Sequence, residues 1–180
     1  MVPDFKLLDV WALPTPGRRD EFPRLVHGMT SFDPKHISSS SVRLLFDIRR
    51  KLGEWFRLDE PQVGGDAETL RDRLPADLRE VPPEVAFDEL PASVLYVTDD
   101  EFAAEVSNKT VHGVIHLGWV GDDRGGYRGQ LAILIKPNGL FGTSYVAAIA
   151  PFRHLLVYPT LIREIGSRWQ EGTTGSQERA

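Results

Sequence analysis

Two histidines, His112 and His116, stand four residues apart in a run rich in β-branched residues. On a helix this spacing could place both side chains on one metal ion, but β-branched residues favour a strand. Four residues of strand span about 13 Å, whereas a zinc–nitrogen bond is about 2 Å long. We therefore expect no metal site. We expect both histidines on one face of a sheet, as candidate ligand contacts.

A second group of candidate ligand contacts lies nearer the C-terminus. Tyr145, Ile149 and Phe152 fall near one face of a predicted helix, and Arg153 follows them directly. An arginine can hold a carboxylate through two parallel hydrogen bonds. This helix could therefore supply an apolar wall and a charged anchor. The alternative interpretation is ordinary core packing of the three apolar side chains.

Other patterns typical of catalysis have simpler interpretations. Three acidic residues, Asp99, Asp100 and Glu101, directly follow Thr98. This pattern predicts a capping box ahead of a short helix over Phe102 to Val106. The glycine-containing turns lack the lysine and the spacing of phosphate-binding loops. The chain has no cysteine, which excludes thiolate nucleophiles, disulfides and cysteine-bound zinc. We expect no cofactor.

Composition limits the class of protein further. A net charge of −5 and a pI near 5.5 argue against nucleic acid as a partner, because phosphate backbones require a concentrated basic surface. No apolar run approaches the roughly 18 residues of a membrane span. The N-terminus lacks the pattern of a secretory signal. We therefore expect a cytoplasmic protein.

The elements that must position these residues form one predicted domain over residues 1–169. Predicted strands cover residues 5–13, 94–97, 110–120 and 127–136, the last two as a hairpin. Predicted helices cover residues 20–29 and 42–56, with a short helix near Leu70 in a stretch that is mainly loop. A long helix starts at a cap on Thr143 or Ser144 and runs to Trp169, kinked or divided by Pro151 and Pro159. Residues 170–180 are predicted to be a disordered tail.

The sequence therefore predicts an α+β fold in which a mostly antiparallel sheet wraps around a long C-terminal helix. Segments 110–119, 136–142 and 151–154, together with 9–14 and 70–75, resemble the uncharacterised bacterial family known as domain of unknown function 2867. That family is similar to the helix-grip superfamily of START lipid-transfer domains, polyketide cyclases and the birch-pollen allergen. The resemblance implies a cavity between a curved sheet and the C-terminal helix. It assigns no functional residues.

Three functions from different classes are compatible with these expectations. The first is a binding module that holds a small apolar or amphipathic molecule in the cavity, with the histidines, the helix residues and Arg153 as contacts. The second is a cyclase-like or hydratase-like enzyme that uses the same cavity, which would require a histidine close to a carboxylate or an arginine. The third is a structural module that forms a homodimer.

Overall fold

The computed structural model describes residues 3–31, 69–80, 84–88, 92–108 and 111–177. Its centre is an open antiparallel sheet in the order β1-β5-β4-β3-β2. The strands are β1 (Lys6–Ala12), β2 (Ser93–Val97), β3 (Glu101–Ser107), β4 (Val111–Gly121) and β5 (Tyr127–Pro137). Strands β2 to β5 pair in chain order, and the N-terminal strand β1 completes the sheet by pairing with β5. The α+β class and the antiparallel sheet are confirmed.

The β4–β5 hairpin is the longest pairing in the sheet and confirms the predicted hairpin. It extends without a break from the pair Val111 and Pro137 to the pair Gly121 and Tyr127. In its turn, the side chain of Asp122 accepts hydrogen bonds from two backbone amides, those of Arg124 and Gly126. These bonds favour the charged carboxylate and lower the pKa of Asp122.

Strand β3 corrects the prediction of a helix over Phe102 to Val106. The hydroxyl of Thr98 does accept a hydrogen bond from the backbone amide of Glu101, at 2.9 Å, as a capping box would require. Here that bond lies in the tight turn between β2 and β3, where Thr98 N also donates to Glu101 O. The residues that follow alternate between the two faces of the sheet. The hydrogen bond expected at the start of a helix therefore stabilises a hairpin turn instead, and the helix prediction is wrong.

Four α-helices accompany the sheet in the described residues: α1 (Phe22–Thr30), the short α2 (Ala76–Arg79), α3 (Gly139–Phe152) and α4 (Tyr158–Gln177). A 3₁₀ turn at Leu70–Arg73 precedes α2, and a π turn at Arg153–Val157 joins α3 to α4. Helix α1 and the short helix near Leu70 were both predicted from the sequence. The predicted helix over residues 42–56 lies outside the described residues.

The C-terminal helix differs from its prediction at its beginning. Helix α3 begins at Gly139, after Asn138, so neither Thr143 nor Ser144 is its cap. The Thr143 hydroxyl instead donates to Gly139 O within the first turn. At the other end, α4 continues past Trp169 to Gln177. It therefore enters the range that the sequence predicts to be a disordered tail.

Both faces of the sheet are covered. On one face, which we call the helix face, α1 and α4 pack against strand residues in the larger core; its buried members include Phe22, Leu25, Phe102, Leu117, Trp119, Leu131, Ile165 and Trp169. Residues 69–80, which we call the strap, cover the opposite face, the strap face. Buried residues there include Leu70, Leu74, Leu95, Ala103 and Val114. The indoles of Trp119 and Trp169 donate to backbone carbonyls of the β1–α1 connection.

Helix α3 is apolar yet poorly covered. The side chains of Leu140 and Phe141 are 89% and 57% exposed. No single helix in the described ranges is long and apolar enough to cross a membrane. The bent pair Gly139–Pro151 and Arg153–Gly172 reaches that length and composition only when its two halves are taken together.

Candidate functional site

The two predicted histidines lie on the strap face, away from Arg153. On β4, Leu117 and Trp119 belong to the helix-face core, so His112 and His116, at the alternate positions, point to the opposite face. His112 also packs against Phe5 of the strap-face core, with ring centroids 5.1 Å apart. The histidines share one face, as expected. The structure does not bring them together with the candidate residues of the C-terminal helix.

His112 takes part in holding the strap on the sheet. Its Nε2 lies 3.1 Å from Oε2 of Glu105. The same carboxylate accepts hydrogen bonds from the backbone amide of Leu70, at 3.0 Å, and from the hydroxyl of Thr69. Both side chains of the His112–Glu105 pair are mostly buried. This histidine therefore has a structural partner at the start of the strap.

His116 has a looser partner at the other end of the same face. Its Nε2 lies 3.9 Å from Oε2 of Glu101, and the Tyr96 hydroxyl donates to that oxygen at 3.4 Å. Burial, followed by the charge and hydrogen bond of Glu101, raises the pKa of Tyr96 to about 12. The two histidines thus each face a glutamate of β3.

On the helix face, one buried carboxylate collects several donors. Oδ2 of Asp9 accepts from Nε of Arg153 at 3.2 Å and from the hydroxyl of Tyr158 at 2.8 Å. Nε2 of His154 lies 3.3 Å from Oδ1, and the ring of Trp11 packs on Tyr158 at 5.3 Å. We call these five residues the Asp9 cluster. Burial, then the hydrogen bond and charge of Asp9, raises the pKa of Tyr158.

A bulge in β1 places Asp9 in this position. Leu7 pairs with Leu134 of β5, but the next pair is Asp9 with Ile133, so Leu8 is an extra residue in the register. One extra residue reverses the face to which all later side chains point. Asp9 and Trp11 therefore point to the helix face, together with Ile133. Without the bulge they would lie on the other face.

The π turn brings Arg153 and Tyr158 to the same carboxylate. In a regular α-helix, residues five apart point about 140° away from each other, because each residue turns the helix by about 100°. In a π-helix the hydrogen bonds join residues five apart, so these residues point in more similar directions than in an α-helix. The segment Arg153–Val157 has this wider form. It allows both side chains to reach one oxygen of Asp9.

Trp11 carries a polar atom that the cluster leaves without a partner. Its indole Nε1 is buried and finds no hydrogen-bond acceptor in the described structure. Tyr158 and His154 lie beside the ring, at 5.3 and 6.3 Å between centroids. A buried donor without an acceptor costs about 1–3 kcal/mol. A ligand oxygen at this point would recover that free energy.

Comparison with known proteins places the chain in a family. Residues 1–160 match the model of the family described as protein of unknown function, DUF2867. The chain belongs to this family. No curated protein and no solved structure matches it. The DUF2867 region includes every member of the Asp9 cluster, from Asp9 to Tyr158.

Sequence reasoning on this DUF2867 domain named Arg153 but missed its partners. Asp9 and Trp11 stand two residues apart in an apolar strand, and a charged residue at such a position is a usable signal of a polar contact. The register shift that selects their face is not legible in the sequence. Tyr145 and Ile149 are half-buried on α3, and the Phe152 side chain lies outside the described residues. Within those residues, no three histidine or acidic side chains are placed to bind one metal ion.

A separate groove of the DUF2867 domain lies between α1 and α4. It has a volume of about 200 Å³ and is lined mainly by apolar atoms, with Leu25, Met29, Ile165 and Trp169 among its residues. The guanidinium of Arg24 stacks over Trp169 at 4.1 Å. Pockets for drug-sized ligands are usually about 300–1,000 Å³. The Asp9 cluster, with its unpaired donor, is the stronger candidate site.

Proposed function

We propose that this DUF2867 domain binds a small amphipathic molecule on the helix face of its sheet, at the Asp9 cluster. The observation that carries the proposal is the buried indole N–H of Trp11, which has no acceptor among the described residues. Native proteins leave few buried donors unsatisfied, and each such donor requires an explanation. A ligand oxygen that accepts this hydrogen bond supplies one.

The arrangement of the fold supports this proposal. The C-terminal helix α4 packs on one face of the antiparallel sheet through Ile165 and Trp169. We infer from this arrangement, and from the family resemblance, that the domain is of the helix-grip type related to START domains and polyketide cyclases. In that type, the ligand lies between the sheet and the C-terminal helix. The Asp9 cluster connects β1 of the sheet to the start of α4, which supports the proposal.

Helix α3 supplies the apolar part of the proposed site. It is rich in small and apolar residues, and half-buried Tyr145 and Ile149 lie on it eight and four residues before Arg153. Apolar side chains on a helix that no other described element covers favour contact with apolar atoms. In the proposal the ligand's apolar part lies along α3, and its polar end meets the cluster. His112 and His116, which face Glu105 and Glu101, are not required.

Native mass spectrometry of the protein purified without denaturation tests the proposal. We expect a bound small molecule at near-stoichiometric level in the wild type. In Trp11→Phe, which keeps the ring and removes the donor, the dissociation constant should rise about fivefold and the occupancy should fall accordingly, since one hydrogen bond contributes about 1 kcal/mol. Val10→Ala is the matched control because Val10 is the next residue of β1 and points to the opposite face. Equal occupancy in all three proteins would overturn the role of Trp11.

The alternative proposal, that the protein is an enzyme, depends on the distance between His154 and Asp9. His154 Nε2 is 3.3 Å from Asp9 Oδ1, and the histidine side chain is 44% exposed. A carboxylate that orients an accessible imidazole is the arrangement of a general base. A catalytic role predicts that a bound molecule is chemically converted on incubation with wild type and recovered intact with His154→Gln. Recovery of the same intact molecule from both proteins would exclude the catalytic role and favour the binding module. The homodimer remains a prediction that sedimentation equilibrium tests.

A further inference from the structure

We propose that the polar end of the ligand is a carboxylate, held end-on by the guanidinium of Arg153. The inference rests on the proposed function and names its ligand class. Its basis is an excess of donors in the Asp9 cluster. Asp9 is the one carboxylate of the cluster, whereas Arg153, Tyr158, Trp11 and His154 all carry N–H or O–H groups.

Arg153 has unused hydrogen-bonding capacity. A guanidinium has five N–H donors, and Asp9 takes the one on Nε. Among the described residues, the other neighbour of the guanidinium is Tyr158, which also hydrogen-bonds to Arg153 and whose ring centre lies 5.9 Å from Cζ. No carboxylate or carbonyl oxygen of those residues is hydrogen-bonded to the two Nη groups, although the Arg153 side chain is only 13% exposed. The two Nη atoms form the end of a planar fork that matches the two oxygens of a carboxylate. Asp9 therefore orients the arginine and leaves this end available.

The charge around the cluster also favours an anion. From Arg124 to Arg163 the sequence contains five lysines and arginines and no aspartate or glutamate. Helix α3, the π turn and the start of α4 thus bring no acidic side chain to the site. Asp9 is balanced by Arg153 at 3.2 Å, so an incoming carboxylate meets a neutral pair.

The number of cations distinguishes a carboxylate from a phosphate. Arg153 is the one permanently charged cation of the cluster, and a phosphate monoester carries a charge of about −1.5 to −2 at neutral pH. A buried charge without a counter-charge is costly. A carboxylate adds one negative charge beside the Asp9–Arg153 pair, so it leaves less charge unbalanced there than a phosphate does. The unpaired N–H of Trp11 offers a further hydrogen bond to a carboxylate oxygen.

Three amphiphiles with the same chain test this assignment: decanoate, decanol and decyltrimethylammonium, each titrated calorimetrically below its micelle concentration. We expect decanoate to bind at least tenfold more tightly than decanol, and the cationic compound to bind least. Arg153→Gln should remove the preference for decanoate over decanol. Arg163→Gln is the matched control, since Arg163 is an exposed arginine of α4 outside the cluster.

The outcomes separate the two proposals. Absence of binding by all three compounds would overturn the proposed function itself. Equal binding of decanoate and decanol would overturn the carboxylate assignment and leave the binding function in place, as would a preference that persists in Arg153→Gln. If Arg153→Gln fails to fold, Arg153→Lys keeps the positive charge and removes the planar fork. Its affinity for decanoate should then fall more than its affinity for decanol, and an unchanged ratio of the two affinities would contradict the assignment.

Discussion

Replacing Asp9 by asparagine removes the charge at the centre of the cluster while keeping the size of the side chain. The Asp9 carboxylate is 6% exposed and its partner Arg153 is 13% exposed, with Nε and Oδ2 3.2 Å apart. The substitution leaves the guanidinium without its counter-charge in a site with little access to water. We therefore expect a large loss of stability.

The size of the loss follows from the burial of the pair. Removing one partner of a buried ion pair typically costs about 3–5 kcal/mol, because the remaining charge is uncompensated. Since Arg153 keeps some contact with water, we expect about 3 kcal/mol. Replacing both partners with Asp9→Asn and Arg153→Met should restore about 2 kcal/mol of this, because no unpaired charge then remains. The total free energy of unfolding of a domain of this kind is about 5–15 kcal/mol, so the single variant should be markedly less stable.

Urea unfolding followed by far-ultraviolet circular dichroism measures these free energies. Asp20→Asn is the control, because the pair of Asp20 with Arg18 has side chains 74% and 79% exposed and should contribute less than about 1 kcal/mol. A loss below about 1 kcal/mol in Asp9→Asn would refute the argument. So would a double variant no more stable than the single one.

Three further predictions concern packing, titration and the strap. Gly129→Ala should cost about 1–3 kcal/mol in thermal or urea unfolding, because its new Cβ would lie 2.6 Å from a Leu25 methyl group; Gly28→Ala, with no atom within 4 Å, should instead stabilise α1 by about 0.5–1 kcal/mol. The pKa of Tyr158 is raised from 10.0, so the folded state retains a proton that the unfolded state loses. Stability should therefore fall as the pH rises above 10, and Tyr158→Phe should weaken this dependence; an unchanged alkaline profile would contradict it. Glu105→Gln should speed amide hydrogen exchange in the strap, and unchanged exchange there would exclude its anchoring role.

The sequence predicted the hairpin and α1 because their patterns are local. Strands β4 and β5 carry β-branched and aromatic residues on both sides of a glycine-rich turn, and each pattern favours the same structure. Strand β3 was not predicted, because the bond between Thr98 and Glu101 occurs both at helix N-termini and in tight turns. Only its partners β2 and β4 decide between the two, and they belong to other parts of the chain.

The candidate site was less predictable than the fold. The sequence placed His112 and His116 on one face correctly, but which face meets the C-terminal helix depends on how the whole sheet packs. The same holds for Asp9, whose direction depends on the bulge at Leu8. A period of two determines which residues share a face and leaves the identity of that face open.

The junction of α3 and α4 links one local signal to the site. Pro159 lacks the N–H that would bond to Leu155 O, and its ring would collide with that carbonyl in a regular helix. The sequence therefore predicted a kink, and the chain meets the constraint with a π turn over Arg153–Val157, immediately before the proline. That wider turn is also what aligns Arg153 with Tyr158 on Asp9. The backbone defect and the polar cluster thus have one cause, since a regular helix would point one of the two donors away from the carboxylate.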